Sequence, residues 1–163
     1  MEELLMLRQY IEQQRYAEAL ALIGEMEEMS REDKLNKIYS YAILLLLHLI
    51  KQNAENRTTR SWEYSIRNAA REILRINKRR KAGGTYATSE ELKEILEEAY
   101  QSALERAALE AFEGQYSDEK LAGMIDKEAI LAKALALIEA KWSLLFTEKG
   151  GLLSGESDLS GRK

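Results

Sequence analysis

His48 is the one histidine of the chain, and acid–base chemistry would have to start there. A general base needs an orienting partner, for which Glu55 is the nearest acid downstream, and a nucleophile within reach. The spacing puts His48 on the less apolar side of a predicted helix, near Tyr41, Leu44 and Lys51, and no nucleophile motif lies close by. It is therefore expected to be a partly buried, hydrogen-bonded structural side chain. A di-iron carboxylate site needs a Glu three residues before a His, and Leu45 stands at that position. Glutamates recur at helical spacing at Glu25/Glu28, Glu91/Glu94/Glu97 and Glu110/Glu113, but no second acid pair completes a Mg²⁺ site, so these are expected to be solvated faces. Gly83-Gly84 lacks the Gly-Lys-Ser/Thr ending and the preceding strand of a phosphate loop, and reads as a mobile connection. No catalytic residue, metal or cofactor is assigned, and the chain leans away from an enzyme.

The segment from Ser61 to Asn77 is more informative. Trp62, Ile66, Ala69, Ile73 and Ile76 follow a four-three-four-three spacing and fall within about 80° of one another on a helix. Arg67, Arg71 and Arg75 lie on the opposite face with Tyr64 among them, and Arg60 joins them if the helix starts early. Lys78, Arg79, Arg80 and Lys81 extend the basic stretch. Arginine matches phosphates in fork geometry and a tyrosine can stack on a base, so this face suits nucleic acid. It also suits an acidic protein partner, and the plainer reading is a solvated face paired with glutamates of neighbouring helices.

Those residues sit in a chain of 163 with no Pro, no Cys, 32% charged residues and 45% hydrophobic ones. Absence of Cys excludes disulfides and thiolate chemistry. Absence of Pro, with Ala, Leu, Glu, Lys and Arg common, predicts an all-α protein. The net charge of −4 hides three blocks. Residues 1–33 hold nine acids and three bases, residues 57–81 nine bases and two acids, and residues 89–119 ten acids and two bases. Such blocks can bind one another, bind a partner or steer an anion. Glu2 and Glu3 stand where a secretory leader would be basic, and the longest apolar run, Ala42 to Ile50, is too short for a membrane span. A cytoplasmic protein with no membrane partner is expected.

The predicted elements are a helix over 2–14 with Leu4, Leu5, Leu7 and Ile11 inward, and one over 16–29 with Leu20, Ile23 and Met26 inward. A capping box at Ser30/Asp33 opens a third over 31–53. Its face of Leu35, Ile38, Ala42, Leu45, Leu46 and Leu49 is so wide, with Leu44 and Leu47 opposite, that the helix must be central or at a dimer interface. A fourth helix covers 61–77, with Ser61 as cap. Thr88/Glu91 opens a fifth, ending near Phe112, with Leu92, Ile95, Leu96, Ala99, Ala103 and Ala107 inward. Gly114 stops it. A sixth runs from Asp118, broken at Gly123, to Phe146, with Leu131, Leu135, Ile138, Trp142 and Leu145 on one face. The expected fold is an antiparallel helical bundle of five to six helices, a single domain over 1–147 with a flexible tail over 148–163.

Leu47-His48-Leu49-Ile50-Lys51, the run from Arg57 to Trp62 and Ser65-Ile66-Arg67 resemble family 29 of the domains of unknown function, a cyanobacterial-type bacterial family. That family shows a Leu-His-Leu-Leu-Lys run, an Arg-Ser-x-Ser-Trp segment and a Thr-Ile-Arg step. Ile23 to Met29 is similar to its acidic stretch, and Leu96 to Ala103 to its Leu-Glu-Glu-Ala-Tyr-x-x-Ala segment. The resemblance covers about residues 4–112 and implies an all-α fold but no activity. It singles out His48, Lys51, Arg60, Trp62 and Arg67 as a motif set, with a structural role at a helix junction or a binding role both open. The chain is thus expected to be a non-enzymatic interaction module forming a homodimer, with nucleic-acid binding through the arginine face as the alternative.

Overall fold

The computed structural model describes residues 2–79 and 83–154, with the backbone alone for 141–154. The chain is all-α: α1 (Glu2–Glu12), α2 (Tyr16–Glu55), α3 (Arg60–Asn77), α4 (Ser89–Glu110), a 3₁₀ turn (Ala111–Gly114), α5 (Asp118–Ala122) and α6 (Lys127–Ser154). No helix among the described residues is long and apolar enough to cross a membrane.

The second and third expected helices are one. α2 runs unbroken for 40 residues, about 60 Å, straight through Ser30. Ser30 and Asp33 do not form a cap, because nothing there stops the preceding helix. Met, Glu and Arg around Ser30 are good helix formers, and a capping pattern acts only where the incoming chain is already non-helical. The real breaks fall where the backbone turns left-handed: at Gln14 (φ 60°) between α1 and α2, and at Asn56 (φ 49°), which ends α2. Asparagine tolerates this region better than other side chains do.

The body of the molecule is packed around the C-terminal half of α2. Ile38, Ala42, Leu45, Leu46, Leu47, Leu49 and Ile50 are all buried, because α3, α4 and α6 each pack on this helix. Its near-continuous apolarity therefore reflects a central position within one chain. α3 buries Ile66, Ala69 and Ile73 as expected, with Trp62 and Ile76 half-buried. α4 opens on the predicted Thr88/Glu91 capping box and buries Leu92, Leu96, Ala99, Ala103 and Ala107. The small side chains let α2 and α4 approach closely. On α6 Ile138 is buried as expected, but Ile130 and Ala134 are the buried residues before it, with Leu131 and Leu135 packed partly buried beside them. Ala134 gives this line the closer fit. α6 also continues past Phe146 to Ser154, so the first residues of the expected tail are helical. Residues 155–163 and the side chains of Trp142 and Leu145 lie outside the described set.

The N-terminal third differs most from expectation. α1 packs against the first half of α2 and has no buried residue. Leu4, Leu5, Ile11 and Leu20, all expected inward, are 55%, 67%, 49% and 69% exposed. Ile23 is exposed at its edge and Met26 is half-buried. Before Ile38, α2 buries only Ala19. Residues 2–33 therefore form a two-helix arm, with apolar stripes that no described part of the body covers.

Candidate interaction site

α2 and α3 position the motif residues, and the start of α3 is set by Thr59. Thr59 takes extended backbone geometry, and its hydroxyl accepts from the Trp62 amide at 3.1 Å. The cap is thus Thr59 and not Ser61, which is exposed in the first turn, and Arg60 is the first helical residue. The half-buried Trp62 ring lies between two cations, Lys51 Nζ at 4.6 Å and the Arg57 guanidinium at 4.7 Å from its centroid. Each such contact adds about 0.5–2 kcal/mol of attraction. Lys51 is buried, and its ammonium also reaches Glu110 of α4 at 3.4 Å. Arg57 bonds to Glu55 at 3.3 Å. Gln52 donates to Thr58 at 2.7 Å across the same turn. The cluster fastens α2, α3 and the end of α4 together.

His48 sits one turn before Lys51 and is half-buried. Its Nδ1 is buried and has no hydrogen-bond partner among the described residues, contrary to the expected hydrogen-bonded state. Burial first, then the Lys51 charge, hold the imidazole below its usual range, while Glu110 pulls the other way and Arg106 adds to the depression. Glu55, the acid that would have oriented it as a base, is engaged by Arg57. The unfolded chain takes up the His48 proton near pH 6.5, and the folded chain only at lower pH. Stability present above about pH 6.5 is therefore lost as pH falls through the window below it. The urea midpoint of the protein is expected to fall between about pH 7.5 and about pH 5.5. In His48→Leu it should fall less. Equal falls in the two proteins would show that His48 does not contribute.

The other face of α3 is solvent-exposed along its whole length: Arg60, Tyr64, Arg67, Arg71 and Arg75, followed by Lys78 and Arg79. Tyr64 is 60% exposed. Arg75 is held by Glu72 of its own helix at 2.7 Å, which keeps its guanidinium pKa above the ordinary value. Arg60 and Arg71 have no ion-pair partner among the described residues. Pairing of this face with glutamates of other helices, as expected for a merely solvated surface, is therefore absent at Arg60 and Arg71. α2 and α4 are instead tied by Arg31 to Glu91, the same glutamate that completes the α4 capping box. Arg80 and Lys81 lie outside the described residues.

The basic loop after α3 is closed at its base. Lys78 and Thr85 form an isolated antiparallel bridge, Arg79 donates to the Gly84 carbonyl at 3.1 Å, and Tyr86 to that of Asn77 at 2.9 Å. Gly83 and Gly84 both have a φ of +72°, which suits glycine and strains other residues. Asn77, 2% exposed, bonds to both backbone groups of Ala87. Neither Asn77 nor Glu110 stood out in the sequence. Glu110 lies 59 residues from Lys51, beyond any local pattern. An Asn at the last helical position before a glycine loop is the signal that could have pointed to Asn77.

Two faces thus separate at α3: a joint where Trp62 meets Lys51, with His48 one turn before that lysine on α2, and a solvent-exposed arginine stripe carrying Arg60 and Arg67. The clamp around Trp62 has the geometry of a helix joint: its lysine is paired with Glu110, and the Nδ1 of His48 has no hydrogen bond to an acid or a nucleophile among the described residues. No group of His, Asp or Glu among the described residues is arranged to hold a metal ion. No curated protein and no solved structure matches the chain. The model of one family, described as domain of unknown function DUF29, matches residues 6–123. That span holds α2, α3, α4 and every motif residue of the junction, and the chain belongs to the DUF29 family.

Proposed function

We propose that the protein is a non-enzymatic interaction module that works as a homodimer. The observation that supports this is the arm. Leu4, Leu5, Tyr16, Leu20 and Met29 are each more than half exposed, and they cluster on one two-helix unit. Tyr16 and Leu20 lie on one line of α2, and exposed apolar surface of this kind marks an interaction site. The wide apolar face of α2 plays no part in the proposal, because it is consumed within the chain. Sedimentation equilibrium of the full chain over a hundredfold concentration range is expected to show a monomer–dimer equilibrium. Leu5→Glu/Leu20→Glu is expected to shift it to monomer with the helical circular dichroism unchanged, since both side chains are exposed. A wild-type protein that stays monomeric throughout would overturn the proposal.

A second reading is supported by Arg60 and Arg71, exposed and without ion partners, with Tyr64 between them. It is nucleic-acid binding along α3. It expects binding of labelled single- or double-stranded DNA that weakens steeply with salt and is abolished by Arg71→Glu. No binding at low salt would remove it. The chain is acidic as a whole, with a sequence pI of about 5.3, which favours the first reading.

A further inference from the structure

We infer that the acidic arm of one copy lies along the arginine face of α3 in a second copy, which returns the same contact, giving a two-fold dimer with two acidic-on-basic seams. This rests on the homodimer reading and names the surfaces that meet.

Both surfaces are solvent-exposed in the single chain. On the arm, Tyr16, Leu20 and Ile23 follow a four-three spacing, and Glu27 continues the same line one turn on. Glu25, Glu27, Glu28 and Glu32 are exposed with no ion partner among the described residues. On α3, Arg60 and Arg71 are open cations with Tyr64 between them. Arginine suits an apolar stripe edged by glutamates, because its methylene stem covers apolar surface while its head reaches carboxylates.

The lengths and directions fit. α3 folds back along α2, with Trp62 against Lys51 at one end and Arg75 within electrostatic reach of Tyr41 near the other. The arm continues α2 away from that second end, so within one chain the two surfaces follow one another and cannot lie side by side. α3 has 18 residues, and Tyr16–Asp33 of the arm has the same number, about 27 Å each. Two α2 helices related head to tail about an axis near Leu35–Ile38 place each arm beside the other copy's α3. A two-fold axis makes the contact reciprocal and closes the assembly.

Charge selects this arrangement over the others. Arm against arm would bring together two segments that each hold nine acids and three bases. Arm against α4 would meet the exposed Glu90, Glu94, Glu97, Glu98 and Glu105. α3 opposes the arm with the opposite sign along its exposed face, where Arg60, Arg67, Arg71 and Arg75 follow one another.

The test is a charge swap read by sedimentation equilibrium of the full chain at low and high salt. Glu27→Arg/Glu28→Arg and Arg60→Glu/Arg71→Glu are each expected to weaken the dimer at least about tenfold, since each puts like charges across a seam. All four substitutions together should restore it to within about threefold, because the signs are again complementary. All four sites are exposed, so circular dichroism and thermal melts should match wild type. A dimer indifferent to salt and to both reversals, but lost in Leu5→Glu/Leu20→Glu, would overturn the seam and leave the homodimer standing. A wild-type monomer at every concentration would overturn both.

Discussion

Leu46→Ala is expected to lower the free energy of unfolding by about 2–5 kcal/mol, and Leu20→Ala, in protein dilute enough to be monomeric, by less than about 0.5 kcal/mol. Both leucines lie on α2, and both look inward-facing from their neighbours' spacing. Leu46 is fully buried among α2, α3, α4 and α6, so truncation removes its transfer free energy and leaves a cavity that helices packed on several sides cannot collapse. Leu20 is 69% exposed and loses almost nothing. A body of this size has a total stability of about 5–15 kcal/mol, so the first change alone can exhaust a large part of it. Urea titration of the two proteins checks the contrast. Similar losses at the two positions would mean that the arm is packed as tightly as the body.

Asn77→Leu is expected to cost about 2–4 kcal/mol, although it replaces a polar side chain in the core with an apolar one of similar size. The asparagine amide donates to the Ala87 carbonyl at 3.1 Å, and its oxygen accepts from the Ala87 amide at 2.7 Å. Leucine satisfies neither. Ala87 is 1% exposed, so its two backbone groups would be left without partners where water does not reach. The pair also fixes where the loop after α3 re-enters the body, one residue before the Thr88 cap of α4. A midpoint within about 0.5 kcal/mol of wild type would show that the loop finds other partners when the amide is removed.

The all-α class, the start of α4 at Thr88 and the buried faces of α3 and α4 were legible in the sequence because each rests on local spacing or capping. The arm was not. Leu4, Leu5, Ile11 and Leu20 have the spacing of core residues, and periodicity shows which side of a helix is apolar without showing whether anything covers it. Ser30 misled for a related reason: a capping motif is a local signal, and the helix runs through it. The clamp was half legible. Lys51, Arg57 and Trp62 fall within one short stretch and were met as a motif, while Glu110 joins them only through tertiary packing. That Arg60, Arg67, Arg71 and Arg75 share the exposed side of α3 was legible, since they lie at helical spacing on one element, whereas what they bind is not written in that spacing.

α2 carries the arm on one half and the body on the other, so a single hydrogen-bonded ladder crosses from a segment with one buried residue to a segment with a closed core. Helical propensity alone supports the first half only marginally, whereas tertiary packing holds the second. The helix therefore has no reason to melt as one cooperative unit. Amide protons before about Ile38 can exchange by local opening with α1, at a small fraction of the global unfolding energy, while those from Ala42 to Ile50 wait for the whole body to open. A second copy seated on the arm would raise the energy of that local opening, so that the long helix behaves as one unit in the dimer and as two in the monomer.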